Sequence, residues 1–320
     1  MKIKVIYLNW VINPHNIGDT ICTTSVVNNL LRKYPKADLT YYSNEFALDM
    51  FANDNRVKVS LPTDKMKGIT EQEWGKALDV GYASDGKDIV VILSPGWQND
   101  LFEHLNKNID KILKNPEVNI ITYNFHRMAG IEDYINQRPK VILSENDRKE
   151  APQCKGLIAV NMSHKRETQK KERSIFRYDL KLNIKLIDLL INAGYKVIEV
   201  GYDRYMGVGN AYMGHRSIRQ VCAIMEQCAL FIGNDGGMHN VANAVNIPVL
   251  LFQSYPFNPP ELFMMGNGTV LDNGCSKNKT CDHWAKIKGV QDSKESCDLI
   301  CEKLKPELIA EKAIEILRGE

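Results

Sequence analysis

Residues 231–239 read Phe-Ile-Gly-Asn-Asp-Gly-Gly-Met-His, and they join an apolar run to a stretch of small residues. The apolar run predicts a buried strand, the glycines predict a turn, and the small residues predict a helix. Backbone N–H groups at the first turn of such a helix attract an anion, most often a phosphate. The sequence therefore predicts an anion site formed by Gly236, Gly237, Met238 and His239, with Asp235 beside it.

Two interpretations of this turn are open. Gly236 and Gly237 have no Cβ atom, so a ligand can approach their backbone closely, while Asp235 and His239 could bind its polar groups. In the alternative, the turn only connects a strand to a helix, Asp235 caps the helix and His239 is solvated. The buried strand and the small-residue helix on either side favour the ligand-binding interpretation.

A second loop of similar construction, Asn-Ile-Gly-Asp-Thr at residues 16–20, follows an apolar strand predicted over residues 3–8. The spacing of apolar residues predicts a helix over 21–34, so Asp19 stands near a helix start. A carboxylate there is either an N-cap, stabilised by the helix dipole, or a general base that takes a proton from an attacking hydroxyl. The sequence alone does not separate these two roles.

Strands and helices alternate along both halves of the chain, which is typical of a doubly wound α/β fold. A polar break over residues 144–156 divides the chain into domains at 1–150 and 151–320. Ligands of such folds bind beyond the carboxyl ends of the strands, so both glycine loops should face a cleft between two Rossmann-like domains. Further strands are predicted over residues 39–42, 57–60, 89–93, 118–122, 157–161, 197–200, 230–232 and 248–252. Further helices are predicted over 182–191, 217–228 and 306–317.

Local signals fix some helix ends. Gly194 suits the position after a helix, Ser217 and Gln220 form a possible capping box, and Pro306 suits the first position of the last helix. That last helix is expected in the second domain, with a possible return toward the first.

Composition limits the function. The chain has 320 residues and a net charge of +2, which gives no electrostatic case for nucleic-acid binding. No stretch approaches the ~20 apolar residues of a membrane span, and the N-terminal apolar run is too short for a signal peptide. We therefore expect a cytoplasmic protein, with membrane contact only at the surface.

Eight cysteines fall into two groups. Four are scattered and are predicted to be small buried residues: Cys22, Cys154, Cys222 and Cys228. Four are clustered in one polar stretch: Cys275, Cys281, Cys297 and Cys301. The clustered thiols could hold a structural zinc or iron, stay free or partly buried, or form disulfides, and their spacing is irregular for a zinc ribbon.

A basic segment over residues 163–177 carries six lysines and arginines. Most of these charges are expected to be solvated. Its place after the first strand of the second domain suggests that one or two contact a pyrophosphate, and Lys171, Arg173 and Arg177 are the candidates.

Together these motifs resemble the bacterial heptosyltransferases of glycosyltransferase family nine, which have the two-domain GT-B fold. The resemblance covers most of the chain. It is carried by Gly-Asp-Thr at 18–20, His-Arg-Met-Ala-Gly-Ile at 126–131, Arg-Pro at 138–139, residues 231–248, and residues 301–307 leading into the final helix.

The resemblance implies residue roles. The aspartate of the first loop, Asp19, would be the catalytic base, and Asn16, Gly18 and Thr20 would lie on the acceptor side. In the second loop Asp235 would contact the donor sugar, while Gly236, Gly237, Met238 and His239 would hold its diphosphate. Three departures lie on the donor side: Gly236 replaces a hydroxyl residue, the loop is one residue shorter, and the Lys-Arg-Trp sequence of the family is missing.

The resemblance also implies an inverting, metal-independent transfer from a nucleotide sugar, typically ADP-heptose, to a glycan or glycolipid such as the lipopolysaccharide core. UDP or GDP sugars and other acceptors stay open. Two alternatives are a sugar-nucleotide epimerase or hydrolase of the same fold, and a non-catalytic nucleotide-sugar-binding relative.

Overall fold

The computed structural model describes residues 1–8, 17–63, 82–93, 115, 117–131, 138–161, 180–201, 209–213, 217–233, 236–252, 264–266, 268–271 and 304–319. These residues form eleven strands and eight helices. They divide into two compact units. Unit 1 contains Met1–Ala151 together with Ser217–Ala223 and Asn243–Val245, and unit 2 contains the remainder.

The sheet of unit 1 has five strands in the order β3-β2-β1-β5-β4. Their bounds are β1 Lys2–Tyr7, β2 Asp38–Tyr42, β3 Val57–Ser60, β4 Tyr82–Ser84 and β5 Asp88–Leu93. All neighbouring strands are parallel except β4, which runs antiparallel to β5 at the edge. The central strand β1 buries Ile3, Val5 and Tyr7, as expected for a sheet with helices on its faces.

Four helices belong to the first 151 residues: α1 Ile17–Lys33, α2 Glu45–Met50, α3 Ile120–Met128 and α4 Glu145–Glu150. Most of α1 is buried, including four hydroxyl residues: Thr20, Thr23, Thr24 and Ser25. Three of these hydroxyls donate to the carbonyl three residues earlier: Thr23 to Thr20, Thr24 to Ile21 and Ser25 to Cys22, at 2.6–2.7 Å. These bonds let the helix bury polar side chains without unpaired hydroxyls.

The sheet of unit 2 has six parallel strands in the order β11-β10-β9-β6-β7-β8. Their bounds are β6 Ile158–Asn161, β7 Val197–Val200, β8 Ala211–Met213, β9 Leu230–Gly233, β10 Val249–Leu251 and β11 Gly268–Val270. The two central strands, β6 and β9, are apolar and almost wholly buried. A sheet of this order reverses its winding between β6 and β9, where Rossmann-like folds bind ligands.

Four further helices follow: α5 Leu180–Asn192, α6 Ile218–Met225, α7 Gly237–Val245 and α8 Pro306–Arg318. The final helix α8 packs against α5 in unit 2, where Ile309, Ala310 and Ala313 join the core formed by the sheet and α5. Pro306 begins α8 and Gly319 ends it with a left-handed φ of 74°. Gly194 likewise takes a φ of 91° just past α5, as predicted.

Most predicted strands are confirmed to within about two residues, and so is the capping box at the start of α6. There the backbone N–H of Ser217 donates to Gln220 Oε1 at 3.1 Å, and the N–H of Gln220 donates to Ser217 Oγ at 3.3 Å. The four scattered cysteines are buried, as predicted.

The strand predicted over residues 118–122 is wrong. Residues 120–128 form helix α3, because the Asn119 side chain accepts from the N–H groups of Ile121 and Thr122 while the Thr122 hydroxyl accepts from the N–H of Asn119. This capping box outweighs the β-branched composition of the segment. The polar break at 144–156 likewise contains α4, which Ser144 and Asp147 cap in the same way.

Candidate functional site

The second glycine loop lies between β9 and α7, as predicted. Strand β9 ends at Gly233, which pairs with Asn161 of β6, and α7 begins at Gly237. A Cβ atom on Gly233 would lie 2.6 Å from the carbonyl oxygen of Asn161 and 2.9 Å from Cζ of Phe231. Glycine is therefore required here by close packing at the central strand rather than by a left-handed backbone.

The first turn of α7 presents backbone toward solvent at Gly236. Gly236 is exposed, and a Cβ atom added to it would meet nothing within 4 Å. Its carbonyl accepts from the N–H of Asn240 at 3.3 Å, which makes Gly236 the N-cap of the helix. Since the first N–H groups of a helix have no partner within it, this end offers donors to an anion.

His239 is buried, with 1% of its surface exposed. The alternative in which this histidine is solvated is therefore wrong. Met238 is also buried, at 8% exposed, so the first turn of α7 is anchored by two side chains. Asp235, predicted beside the anion, lies outside the described residues.

The first glycine loop leads into α1, which begins at Ile17, four residues earlier than the predicted helix. Asp19 is therefore a residue of the first helical turn and not its N-cap. Gly18 and Thr20 are buried beside it, and Asp19 is half-buried. A carboxylate in the first turn is stabilised by the helix dipole, which favours its ionised, proton-accepting form. Asn16 lies outside the described residues.

Two buried tyrosines lie toward the carboxyl ends of neighbouring strands, Tyr7 of β1 and Tyr41 of β2, and the negative charge of Asp19 acts on Tyr7. Burial raises the pKa of Tyr7 well above its usual value, and the negative charge of Asp19 raises it further. Burial also raises the pKa of Tyr41, whose hydroxyl lies 2.6 Å from Thr23 Oγ1.

Several predicted site residues cannot be placed. The basic candidates Lys171, Arg173 and Arg177 and the cysteines Cys275, Cys281, Cys297 and Cys301 lie outside the described residues. Among the residues that the structure does describe, no group of three histidine, cysteine, aspartate or glutamate side chains could hold a metal ion. None of the described helices is long and apolar enough to cross a membrane.

Two residues quoted for the resemblance hold unit 1 together. His126 is fully buried and lies 2.8 Å from Asn29 Nδ2 and 2.7 Å from the Thr122 carbonyl oxygen, so it joins α3 to α1. Arg138 contacts Glu117 at 3.1 Å and donates to the carbonyl oxygen of Asn243 at 3.4 Å. These contacts give His126 and Arg138 a structural role within unit 1.

An ion-pair cluster around Arg219 was not foreseen from the sequence. Arg219 of α6 contacts Asp49 of α2 at 3.0 Å and Asp147 of α4 at 2.8 Å, all within unit 1. Asn53 also donates to Asp147, at 2.7 Å. Arg219 is 170 positions from Asp49 and 72 positions from Asp147 along the chain, so no local sequence pattern could have revealed the cluster.

A cavity of about 450 Å³ lies between α5 and α8 in unit 2. It is lined by the apolar residues Leu189, Ala310 and Ile314 and by the charged residues Glu307, Glu311, Glu315 and Arg318. Three glutamates against one arginine repel a diphosphate, so this cavity does not compete with α7 as the anion site.

No family model and no curated protein matches the chain. Solved structures match over the full chain at low identity. The glycosyl transferase family 9 protein of Veillonella parvula DSM 2008 has a TM-score of 0.63 and 17% identity, over 100% of this chain and 98% of that one.

Two Escherichia coli structures are also similar. ADP-heptose LPS heptosyltransferase II has a TM-score of 0.59 and 14% identity, over 100% of this chain and 99% of its own. The iron-containing dodecameric glycosyltransferase TibC of enterotoxigenic strain H10407 has a TM-score of 0.62 and 13% identity, over 99% of this chain and 78% of its own. TibC has also been solved with ADP-D-β-D-heptose. The chain thus has the GT-B fold, and its predicted structural resemblance to family-nine glycosyltransferases is confirmed.

Proposed function

We propose that this chain is an inverting glycosyltransferase that moves a sugar from a nucleoside diphosphate donor to an acceptor hydroxyl. The observation that carries the proposal is the N-terminus of α7. This helix begins directly after the central strand of the second sheet, and its capping residue Gly236 is exposed with open space around it. That position suits two phosphates of a nucleotide sugar.

ADP-heptose is the proposed donor, since two proteins of the same fold are named for or solved with it. Residues 151–320 would bind it. The first-turn N–H groups of α7, those of Gly237, Met238 and His239, would hold the diphosphate, with Lys171, Arg173 or Arg177 adding positive charge. Asp235 would contact the sugar.

In the reaction, Asp19 would take the proton of an acceptor hydroxyl as its oxygen attacks the anomeric carbon. The bond from that carbon to the diphosphate oxygen breaks on the opposite face, so the configuration at the carbon inverts. Negative charge grows on the leaving diphosphate, where the helix N–H groups and the basic side chains stabilise it. The proposed chemistry needs no metal ion.

The acceptor is proposed to be a glycan or glycolipid, with the lipopolysaccharide core as the first candidate. Residues 1–150, which contain Asp19, would bind it, and Gly18 and Thr20 would shape the acceptor side of the base. The proposed base removes a proton and does not attack the sugar itself. The acceptor must therefore supply the attacking oxygen, from a hydroxyl group.

The test of the base is Asp19→Asn. The variant should bind ADP-heptose with a Kd within about twofold of wild type, and it should lose turnover by two orders of magnitude or more, the range attributed to general base catalysis. Binding is measured by calorimetry and turnover by ADP release with a heptose-deficient lipopolysaccharide core as acceptor. Full activity in Asp19→Asn would remove Asp19 from the reaction. Free sugar released at the rate of ADP would instead identify a hydrolase.

We further propose that Cys275, Cys281, Cys297 and Cys301 bind a structural metal ion. The four cysteines fall in one polar stretch of the sequence, and one protein of the same fold is described as iron-containing. Elemental analysis of the purified chain should find about one zinc or iron per molecule, and Cys275→Ser should remove it and lower the melting temperature. The Cys222→Ser variant is the control and should keep the metal. A metal-free wild type with an unchanged melting temperature in Cys275→Ser would contradict the site.

A further inference from the structure

Asn161 is the last residue of β6, the strand beside β9 at the centre of the sheet of unit 2. The six described strands of this sheet end in Asn161, Val200, Met213, Gly233, Leu251 and Val270. Asn161 is the only polar side chain among these strand ends, and it is the only residue of β6 that is not buried. Since ligands of such sheets bind beyond the carboxyl ends of the strands, Asn161 is placed where it can form a hydrogen bond to one.

The register brings Asn161 next to the proposed anion site. Asn161 pairs with Gly233, the last residue of β9, and paired residues of neighbouring strands lie about 4.8 Å apart. Gly237, the first residue of α7, follows Gly233 closely along the chain. The other neighbour of β9 is β10, which ends in the apolar Leu251. Of the two strands beside β9, only β6 therefore ends in a side chain that can form a hydrogen bond.

One hydrogen bond fixes the orientation of the Asn161 carboxamide. Its Nδ2 donates to the carbonyl oxygen of Val200, at the end of β7, at 2.6 Å. A carbonyl oxygen only accepts, so the atom beside it must be the amide nitrogen and not the amide oxygen. Oδ1 is the other corner of the planar carboxamide and is turned away from that carbonyl. Because an amide oxygen accepts hydrogen bonds and repels an ionised phosphate, the partner that it selects is a hydroxyl or N–H group.

We propose that Asn161 recognises the ribose of the donor nucleotide, with Oδ1 accepting a hydrogen bond from a ribose hydroxyl. The inference rests on the proposed function, in which the diphosphate lies at α7 and Asp235 contacts the sugar. The ribose is on the other side of the diphosphate from that sugar and would lie over β6. In dinucleotide-binding Rossmann folds a carboxylate outside the phosphate-binding turn accepts from a ribose hydroxyl. A carboxamide oxygen can do the same without adding negative charge beside the diphosphate.

Calorimetric titration of a nucleoside diphosphate and its 2′-deoxy and 3′-deoxy forms tests this proposal without an acceptor. The nucleotide is ADP, or UDP or GDP if wild type binds one of these more tightly. Wild type should bind at least one deoxy form about fivefold more weakly, the loss expected for one hydrogen bond. In Asn161→Ala this difference should fall below about twofold, because the oxygen that accepts from the hydroxyl is gone. Equal binding of all three nucleotides by wild type, or an unchanged difference in Asn161→Ala, would overturn the proposal.

Two further variants separate the Asn161 oxygen from the bond to Val200. Asn161→Asp loses the Nδ2 donor but keeps an acceptor oxygen, so it should bind every nucleotide more weakly and still distinguish the ribose form from the deoxy form. Asn210→Ala is the matched control, because the Asn210 side chain accepts from the N–H of Val197 at 2.7 Å, at the other end of β7. It should also keep the wild-type difference. Loss of the difference in either variant would show that packing of the sheet sets it, and would overturn the proposal.

Titration of ADP-heptose separates the ribose from the donor sugar. Because ADP and ADP-heptose share the ribose, Asn161→Ala should weaken both by the same factor. A larger loss for ADP-heptose than for ADP would assign Asn161 to the sugar and overturn the ribose assignment. Wild type that binds none of ADP, UDP and GDP would refute the proposed function and this inference with it, whereas wild type that binds a nucleotide but ignores its ribose hydroxyls refutes this inference alone.

Discussion

At the scale of single residues, Gly233 and Gly236 stand at the two ends of the turn between β9 and α7 for different reasons. Gly233 is required by packing, because the backbone of Asn161 leaves no room for a Cβ atom. Gly236 has open space around it, so packing does not require glycine at this position. The sequence motif shows both glycines alike, and only the neighbouring strand distinguishes them.

Gly233→Ala should lower the free energy of unfolding by about 1–3 kcal/mol, the usual cost of overpacking a filled site. The added methyl would lie 2.6 Å from a backbone oxygen of the adjacent strand, which cannot rotate away as a side chain could. Urea unfolding measures the change. Gly236→Ala is the matched control and should keep wild-type stability. Equal losses in the two variants would contradict the distinction between the glycines.

Residue-level prediction from the sequence succeeded where one local element fixes the environment. The four scattered cysteines are buried, Gly194 has a left-handed backbone, and Ser217 caps its helix. It did not reveal the burial of His239, which depends on tertiary packing.

At the scale of elements, the long apolar strands were predicted well because burial on both faces leaves an unmistakable composition. The short edge strands β4, β8 and β11, of three residues each, were missed. Helix α3 was predicted as a strand, since Val118, Ile120 and Ile121 are β-branched. The segment is nevertheless a helix, because its capping box satisfies backbone N–H groups at the helix start.

The contacts of α6 show how an element is held by distant parts of the chain. Desolvation opposes the ionisation of Asp147, but hydrogen bonds from Ser144 and Asn53 and the charge of Arg219 outweigh it and hold the pKa of Asp147 below its usual value. The Asp147 side chain is 9% exposed and the Arg219 side chain 24%. A pair this sheltered from water is screened less than a surface ion pair.

Asp147→Asn should therefore lower the free energy of unfolding by about 2 kcal/mol at pH 7. Because the folded-state pKa lies below the unfolded value of about 3.9, the contribution is complete above that pH and is lost as pH falls through the folded pKa. Urea unfolding at pH 7 and pH 3 measures this, and the difference from wild type should shrink at pH 3. The exposed Asp38→Asn is the control and should change little at either pH. A loss that stays constant with pH would contradict the ionic account.

At the scale of the whole molecule, the sequence predicted the two α/β sheets and the GT-B fold, and solved structures of that fold match the full chain at 17% identity or less. Sequence similarity this low leaves the fold recognisable through a few glycine and aspartate positions. The donor is not fixed by the fold, because one fold carries many substrates and the side chains of the site select among them. The proposed function therefore depends on chemistry at one helix end.

The most direct measurement is calorimetric titration of ADP-heptose into wild type, Gly236→Asp and the control Gly236→Ala. Asp is a favourable helix N-cap, so Gly236→Asp should be at least as stable as wild type, while its carboxylate repels a diphosphate at the same position. We predict that wild type and Gly236→Ala bind with Kd values within about threefold of each other, and that Gly236→Asp binds at least tenfold more weakly. Undiminished binding in Gly236→Asp, or no binding in wild type, would contradict the claim that the first turn of α7 holds the diphosphate.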